Sequence, residues 1–146
     1  MTGLLLDTNV LSEMRKPPGR INPAVRDWAA GVDSANAFVS AITISELSQW
    51  VASTHRRDVT QGDLLDRWLR GNVLTCYAGR VLPVDVDVAM TAGRLHVPDP
   101  RDYRDAFIAA TAICHDLTVV TRNIRDFAPM HVRLFDPFSE TSLDQV

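Results

Sequence analysis

Gly3-Leu4-Leu5-Leu6-Asp7-Thr8-Asn9 is an apolar run that ends on a carboxylate followed by two helix-capping residue types. A short buried strand cannot carry a charge in its interior at tolerable cost. An acid at its end, ahead of a helix start, therefore points into a crevice at the edge of a sheet. Asp7 there reads equally as a helix cap or as a metal ligand, and the choice depends on whether other acids reach the same edge.

Outward from this stretch, strand-like segments alternate with longer helical ones, the pattern of an α/β domain with a mainly parallel sheet. Leu4–Leu6, Ala37–Ala41, Val81–Val84, Thr118–Thr121 and Val132–Phe135 read as strands. Helical stretches lie between them at Asn9–Arg15, Pro23–Gly31, Ile44–His55, Asp63–Ala78, Val86–Leu95 and Tyr103–His115. Pro23 after Asn22 suits a helix start and Gly31 a helix end. In Gly62–Arg80, Leu64, Leu65, Trp68, Leu69, Val73 and Tyr77 repeat at helical spacing, which gives that helix a core face. Ser139–Val146 is expected to fray.

At 146 residues the chain makes one domain, large enough to bury roughly 70% of its unfolded surface. Its 46% hydrophobic and 23% charged fractions are those of an ordinary globular protein. No apolar run approaches a membrane span, and Asp7 interrupts the first one too early for a signal peptide, so a cytoplasmic protein is expected, with no membrane partner. Cys76 and Cys114 stand in neither Cys-x-x-Cys nor zinc-ligand spacing and are expected to be reduced core residues. The net charge of −3 offers no global attraction to a polyanion, so an anionic substrate needs a local patch or a bound metal. Lys16 is the only lysine, which removes P-loop, Schiff-base and phospho-receiver lysine chemistry.

Four polar junctions carry the chemistry. Asp7-Thr8-Asn9 is the first. At the second, Thr43 and Glu46 have capping-box spacing, and Asp102 with Asp105 and Asn123 with Asp126 repeat it. Each junction alone is well explained by helix capping. Together they differ, because in a parallel sheet the strand C-termini and the following helix N-termini share one edge. Capping would be satisfied by neutral Ser or Asn, yet one of only three glutamates in the chain, Glu46, occupies such a place. Carboxylates gathered in one crevice repel each other and are hard to keep ionised without a counter-charge. Oxygen-only ligands indicate Mg²⁺ or Mn²⁺ rather than zinc, and such a site suits phosphoryl chemistry. Thr8 and Asn123 are then placed to orient water or phosphate. Arg122 and Arg125 beside the fourth junction, and Arg101 and Arg104 beside the third, are candidate backbone-phosphate contacts.

Leu5-Leu6-Asp7-Thr8-Asn9-Val10-Leu11-Ser12-Glu13, Thr43-Ile44-Ser45-Glu46-Leu47, Asp105-Ala106-Phe107-Ile108-Ala109-Ala110-Thr111-Ala112 and Val120-Thr121-Arg122-Asn123-Ile124-Arg125-Asp126-Phe127 resemble the ordered motifs of PIN-domain ribonucleases. The chain is most similar to the VapC and FitB-like toxins of bacterial toxin–antitoxin pairs. The resemblance implies a three-layer PIN-like α/β domain over residues 1–137, with a central mainly parallel sheet of about five strands flanked by helices, and a tail over 138–146. It implies that Asp7, Glu46 and Asp105 are the catalytic metal-binding acids. It places the family's fourth acid at Asn123, an amide here, with Asp126 as a nearby substitute. It further implies cytoplasmic RNA cleavage, a homodimer, and a small cognate antitoxin that blocks the site.

The resulting expectation is a Mg²⁺- or Mn²⁺-dependent endoribonuclease. Asp7 and Asp105 hold the metal, and Glu46 completes the shell or acts as general base toward the attacking water. The supporting residues are Thr8, Asn123 and Asp126, and the substrate-binding ones Arg122 and Arg125. The rival is a non-catalytic module that holds RNA or a protein in the same crevice. His55, His96, His115 and His131 are scattered without ligand pairing. Glu13 is expected to be structural, and Asp85 to cap a helix. Asp102 is expected to cap, or to bind the metal through water. Trp28, Trp50 and Trp68 are expected to pack, unless one of them anchors a partner.

Overall fold

The computed structural model describes residues 2–139 and the backbone of 141–143. In chain order the elements are β1 (Gly3–Leu6), α1 (Thr8–Met14), α2 (Pro23–Ala30), β2 (Ala37–Ser40), α3 (Ala41–Arg57), α4 (Val59–Trp68), α5 (Leu74–Cys76), β3 (Val81–Leu82), α6 (Val86–Leu95), α7 (Tyr103–His115), β4 (Leu117–Val120), α8 (Ile124–Phe127), β5 (Leu134–Asp136) and β6 (Thr141–Leu143). The sheet order is β3-β2-β1-β4-β5-β6. The first five strands in chain order are parallel to their neighbours, and β6 runs antiparallel to β5.

Alternation along the strands divides the core into two. Leu5 and Val119 face one side, packing with Val88, Ala106, Ile108, Ala109, Phe127 and Leu134 under α6, α7 and α8. Leu6 and Val120 face the other, packing with Val10, Leu11, Val39, Leu47, Leu69 and Val73 under α1 and α3. The result is the expected three-layer arrangement of a mainly parallel sheet between helices. Among the described residues, no helix is long and apolar enough to cross a membrane.

The strand order reverses where β1 lies between β2 and β4. Such a switch point opens a crevice outside the strand C-termini. Leu6 of β1 is in register with Val120 of β4, and the Asp7 N–H donates to the Val120 carbonyl at 3.0 Å. That register sets Asp7 beside Thr121 at the crevice.

Several elements differ from the sequence expectation. α3 begins at Ala41 rather than Ile44, because the Ser40 hydroxyl caps it by accepting from the Ile42 N–H at 3.0 Å. Thr43 consequently lies inside the helix, fully buried, and Thr43 with Glu46 is no capping box. The long helix expected at Asp63–Ala78 starts earlier, at Val59, where Asp58 accepts from the Gln61 N–H at 3.1 Å. It is then interrupted by a π-helical turn at Leu69–Val73 that retains Leu69 and Val73 in the core. β3 is cut to Val81–Leu82 ahead of Pro83, consistent with the ladder donor that proline lacks. In the segment expected to fray, Thr141–Leu143 pair with Leu134–Asp136; residues 140 and 144–146 lie outside the described ones. Cys76 and Cys114 are exposed, not core. Cys114 still reaches across from α7 to α6, its thiol 3.5 Å from the Thr91 hydroxyl.

Other expectations hold. Asn22 caps α2 with Pro23 in its first turn and Gly31 at its end, and Asp85 caps α6. Buried Glu13 accepts from Lys16 Nζ and from the Asn22 N–H, each at 2.8 Å, and so ties α1 to the start of α2. Trp28 packs against Phe135, with ring centroids 6.0 Å apart. Trp50 stays exposed on α3 and meets Trp68 edge to face at 6.2 Å, with Arg15 over both rings.

Candidate active site

A cleft of about 520 Å³ opens at the C-terminal edge of the sheet, and its walls include Asp7, Thr8, Glu46, Asp105, Asn123 and Asp126. Side chains from all four polar junctions thus meet in one place. Asn9, Asp102 and Arg104 line the same cleft. Arg122 and Arg125 are outside its walls: the Arg122 guanidinium sits 4.7 Å over the Phe138 ring, and Arg125 lies on the last turn of short α8.

Asp7 is nearly buried, with 5% of its surface exposed. It is cap and cleft acid at once. Its Oδ1 accepts from the Thr8 N–H at 2.8 Å, and its Oδ2 accepts from the Thr121 hydroxyl at 2.8 Å and from Asn9 Nδ2 at 3.2 Å. Burial pushes its carboxyl up from the ordinary value, while the three hydrogen bonds pull it back. Thr121 also accepts from the Asn123 N–H at 3.0 Å and from Asn9 Nδ2 at 3.2 Å. Asn9 Oδ1 in turn accepts from the Arg122 N–H at 3.0 Å. Asn9 and Thr121 thus stitch the first and fourth junctions together. The sequence reading missed both roles, and the signal for them is the β1–β4 register.

Glu46 projects from α3, and its Oε1 accepts from the Thr8 hydroxyl at 3.0 Å. Burial pushes its carboxyl up, Thr8 lowers it, and the neighbouring Asp7 raises it again. Asp105 stands in the first turn of α7, which Asp102 caps by accepting from the Arg104 and Asp105 N–H groups at 2.9 and 3.3 Å. Asp105 is pushed from an ordinary 3.8 to about 6, first by burial and then by the charges of Asp102, Asp7, Asp126 and Glu46. Asp102 is held low, chiefly by its hydrogen bond with Arg104. Asn123 begins α8 without a side-chain cap bond, and Asp126 follows in its first turn, exposed at the cleft wall.

The donor set is oxygen only, the chemistry of a hard divalent cation. The mutual repulsion that adds to burial in raising Asp105 is what such a cation relieves. Among the described residues, no three carboxylate, imidazole or thiol groups are drawn together into a metal-holding cluster in this conformation. Arg104 instead supplies part of the counter-charge, with Nη1 at 3.6 Å from Glu46 Oε2 and Nη2 at 3.3 Å from Asp102 Oδ2. The residues fit a divalent ion in donor chemistry and in sharing one cleft, and closing a shell around it requires side-chain movement.

Known proteins share this framework. Toxin FitB of Neisseria gonorrhoeae is 33% identical over 94% of this chain and 99% of its own length. VapC ribonuclease Y4jK of Sinorhizobium fredii is 33% identical over 92% of this chain and 97% of its own. The structure of FitAB bound to an IR36 DNA fragment superposes with a TM-score of 0.83 and 31% identity, covering 92% of this chain and 95% of that one. The PIN domain model matches residues 4–130. With that match spanning most of its length, the chain belongs to the PIN domain family.

Proposed function

We propose that this protein is a metal-dependent endoribonuclease and the toxin of a toxin–antitoxin pair. The observation that carries the reading is the gathering of Asp7, Glu46 and Asp105 from three separate crossovers in one cleft at the sheet's switch point. Its relatives' names, a toxin and a ribonuclease, point the same way.

In this reading Asp7, Glu46 and Asp105 hold Mg²⁺ or Mn²⁺, with Asp126 beside the position of the Asn123 amide. The bound ion supplies charge neutralisation at the phosphate and an acidified water. Asp7 is oriented by Thr121, Asn9 and the Thr8 N–H, whose hydrogen bonds oppose the upward push of burial, a supporting shell of the kind that fixes metal-ligand geometry. Alternatively to completing the shell, Glu46, raised by burial, is suited to take the proton of the attacking water. Attack by water rather than by the ribose 2′-hydroxyl leaves a 5′-phosphate and a 3′-hydroxyl. Arg122, ahead of α8, and Arg125, within it, are assigned to phosphates flanking the cut. The partners in this reading are a cytoplasmic RNA, a second copy in a homodimer, and a small antitoxin that covers the cleft.

Strand scission of RNA by the purified chain, with Mg²⁺ or Mn²⁺ and with EDTA, tests the proposal. Cleavage that EDTA stops and that Asp7→Asn abolishes supports it. Full cleavage by Asp7→Asn at matched concentration removes the assignment. RNA binding without scission favours the non-catalytic reading.

A further inference from the structure

The cleft walls carry Asp7, Glu46, Asp102, Asp105 and Asp126 and a single basic side chain, Arg104. Arg104 sits in the first turn of α7, where the helix dipole disfavours a cation. Its long contact to Glu46, with 58% of the arginine side chain exposed, is the kind that contributes little to folding stability. Local helix stability accounts for its pairing with the Asp102 cap, and not for its reach to Glu46. What the position does is carry a guanidinium from the third junction across to the acid of the second, and also onto Asp102.

A phosphodiester approaching five carboxylates is repelled unless positive charge stands among them. Among the described residues that line the cleft, Arg104 is the only side chain with a permanent one. Its planar fork of donors matches paired phosphate oxygens. Two of those donors reach Asp102, at 3.4 and 3.3 Å, and Nη1 stands in ion-pair range of Glu46, so the group that suits the substrate is paired with a group that suits the ion.

We propose that Arg104 is the phosphate contact of this cleft and, before loading, its resident counter-ion. It releases Glu46 when a divalent cation is bound and then engages a non-bridging oxygen of the RNA. The inference rests on the ribonuclease reading for its second half, and only there.

Removing Arg104 then has opposite effects on the two ligands, which a merely structural residue does not produce. Mn²⁺ binding to the full chain without RNA is measured by titration calorimetry. Binding of a short fluorescein-labelled single-stranded RNA of mixed sequence is measured by anisotropy in Ca²⁺ over a salt series. Thermal melts check that the variants are folded. Arg104→Gln is expected to bind Mn²⁺ about two- to fivefold more tightly, the loss of one exposed ion pair. It is expected to bind RNA about tenfold or more weakly, with the salt slope shallower by about 0.7, one phosphate contact. Arg104→Lys, which keeps the charge without the fork, should restore the Mn²⁺ affinity and only part of the RNA affinity. Unchanged or weaker Mn²⁺ binding by Arg104→Gln overturns the counter-ion role. Wild-type RNA affinity and salt slope in that variant overturn the phosphate contact. If the wild-type chain takes no RNA, the ribonuclease reading fails and the phosphate contact with it, while the Mn²⁺ comparison still decides the other half.

Discussion

The hydroxyl of Thr121 donates to Oδ2 of Asp7 at 2.8 Å, across 114 residues of chain. One buried hydroxyl at the end of β4 therefore orients the acid at the end of β1, while accepting from the Asn123 N–H on its other side. Replacing Thr121 by Val keeps the volume and deletes the donor and the acceptor together. Loss of such support is expected to lower divalent-ion affinity or cleavage by about 10- to 100-fold, with Thr121→Ser retaining most of both. Parallel Mn²⁺ titrations and cleavage rates on the two variants measure this.

The raised carboxyl of Asp105, at about 6, gives a pH dependence of opposite sign for metal binding and for metal-free stability. An ion competes with the proton, so Mn²⁺ affinity should climb from pH 5 to 7. Between the unfolded value of 3.8 and about 6 the native carboxyl keeps a proton that the unfolded chain has released. Metal-free stability from this group therefore falls as pH rises through that window and levels off above it. Melting curves of wild type and Asp105→Asn in EDTA should converge toward the acid end, separate as pH rises from 3.8 to about 6 with the variant the more stable, and stay parallel above that. A constant difference across the range contradicts the assignment.

Asn123→Asp adds a carboxylate to the cleft wall. Ligand charge count tunes affinity for hard ions, so the variant should bind Mn²⁺ on the order of tenfold more tightly, or take up a second ion. Its metal-free melting temperature should drop, because the added charge joins those already raising Asp105. Calorimetric stoichiometry and a melt in EDTA read out the two effects.

Gly62 lets α4 close against α3. A Cβ built there runs into the Cα and Cβ of His55, backbone that cannot swing aside. Gly62→Ala should cost about 1–3 kcal/mol despite the better helix propensity of alanine. Urea denaturation with an unchanged m-value tests it, and a stabilised variant refutes the close approach.

What could be read from the chain follows the range of the interaction. The β1–Asp7–Thr8 junction, the Asn22 and Asp85 caps and the alternation of strands and helices are local, and each appears where residue type and spacing place it. The local reason that singles out Glu46 in the sequence is incorrect: Thr43 does not cap with it, because Ser40, three residues earlier and last in β2, is the cap. The positions of Thr121 and Asn9 depend on the register of β1 against β4, which no single segment encodes. Arg104 reads in sequence as one arginine among several, and only the approach of α7 to α3 separates it from Arg122, which lies over Phe138 instead. The π turn at Leu69–Val73 leaves no mark in the sequence because the apolar stripe runs through it without a break.

Thr8 gives its backbone N–H to Asp7 and its hydroxyl to Glu46, so two acids from different crossovers share one tether. Drift at this position is then confined to residues with a γ-hydroxyl, since serine preserves both bonds and valine, of equal size, severs one. Lineages that keep a glutamate at position 46 should keep a hydroxyl at position 8, and those that lose one are free to lose the other. Covariation of that pair among relatives is the historical trace this small contact leaves.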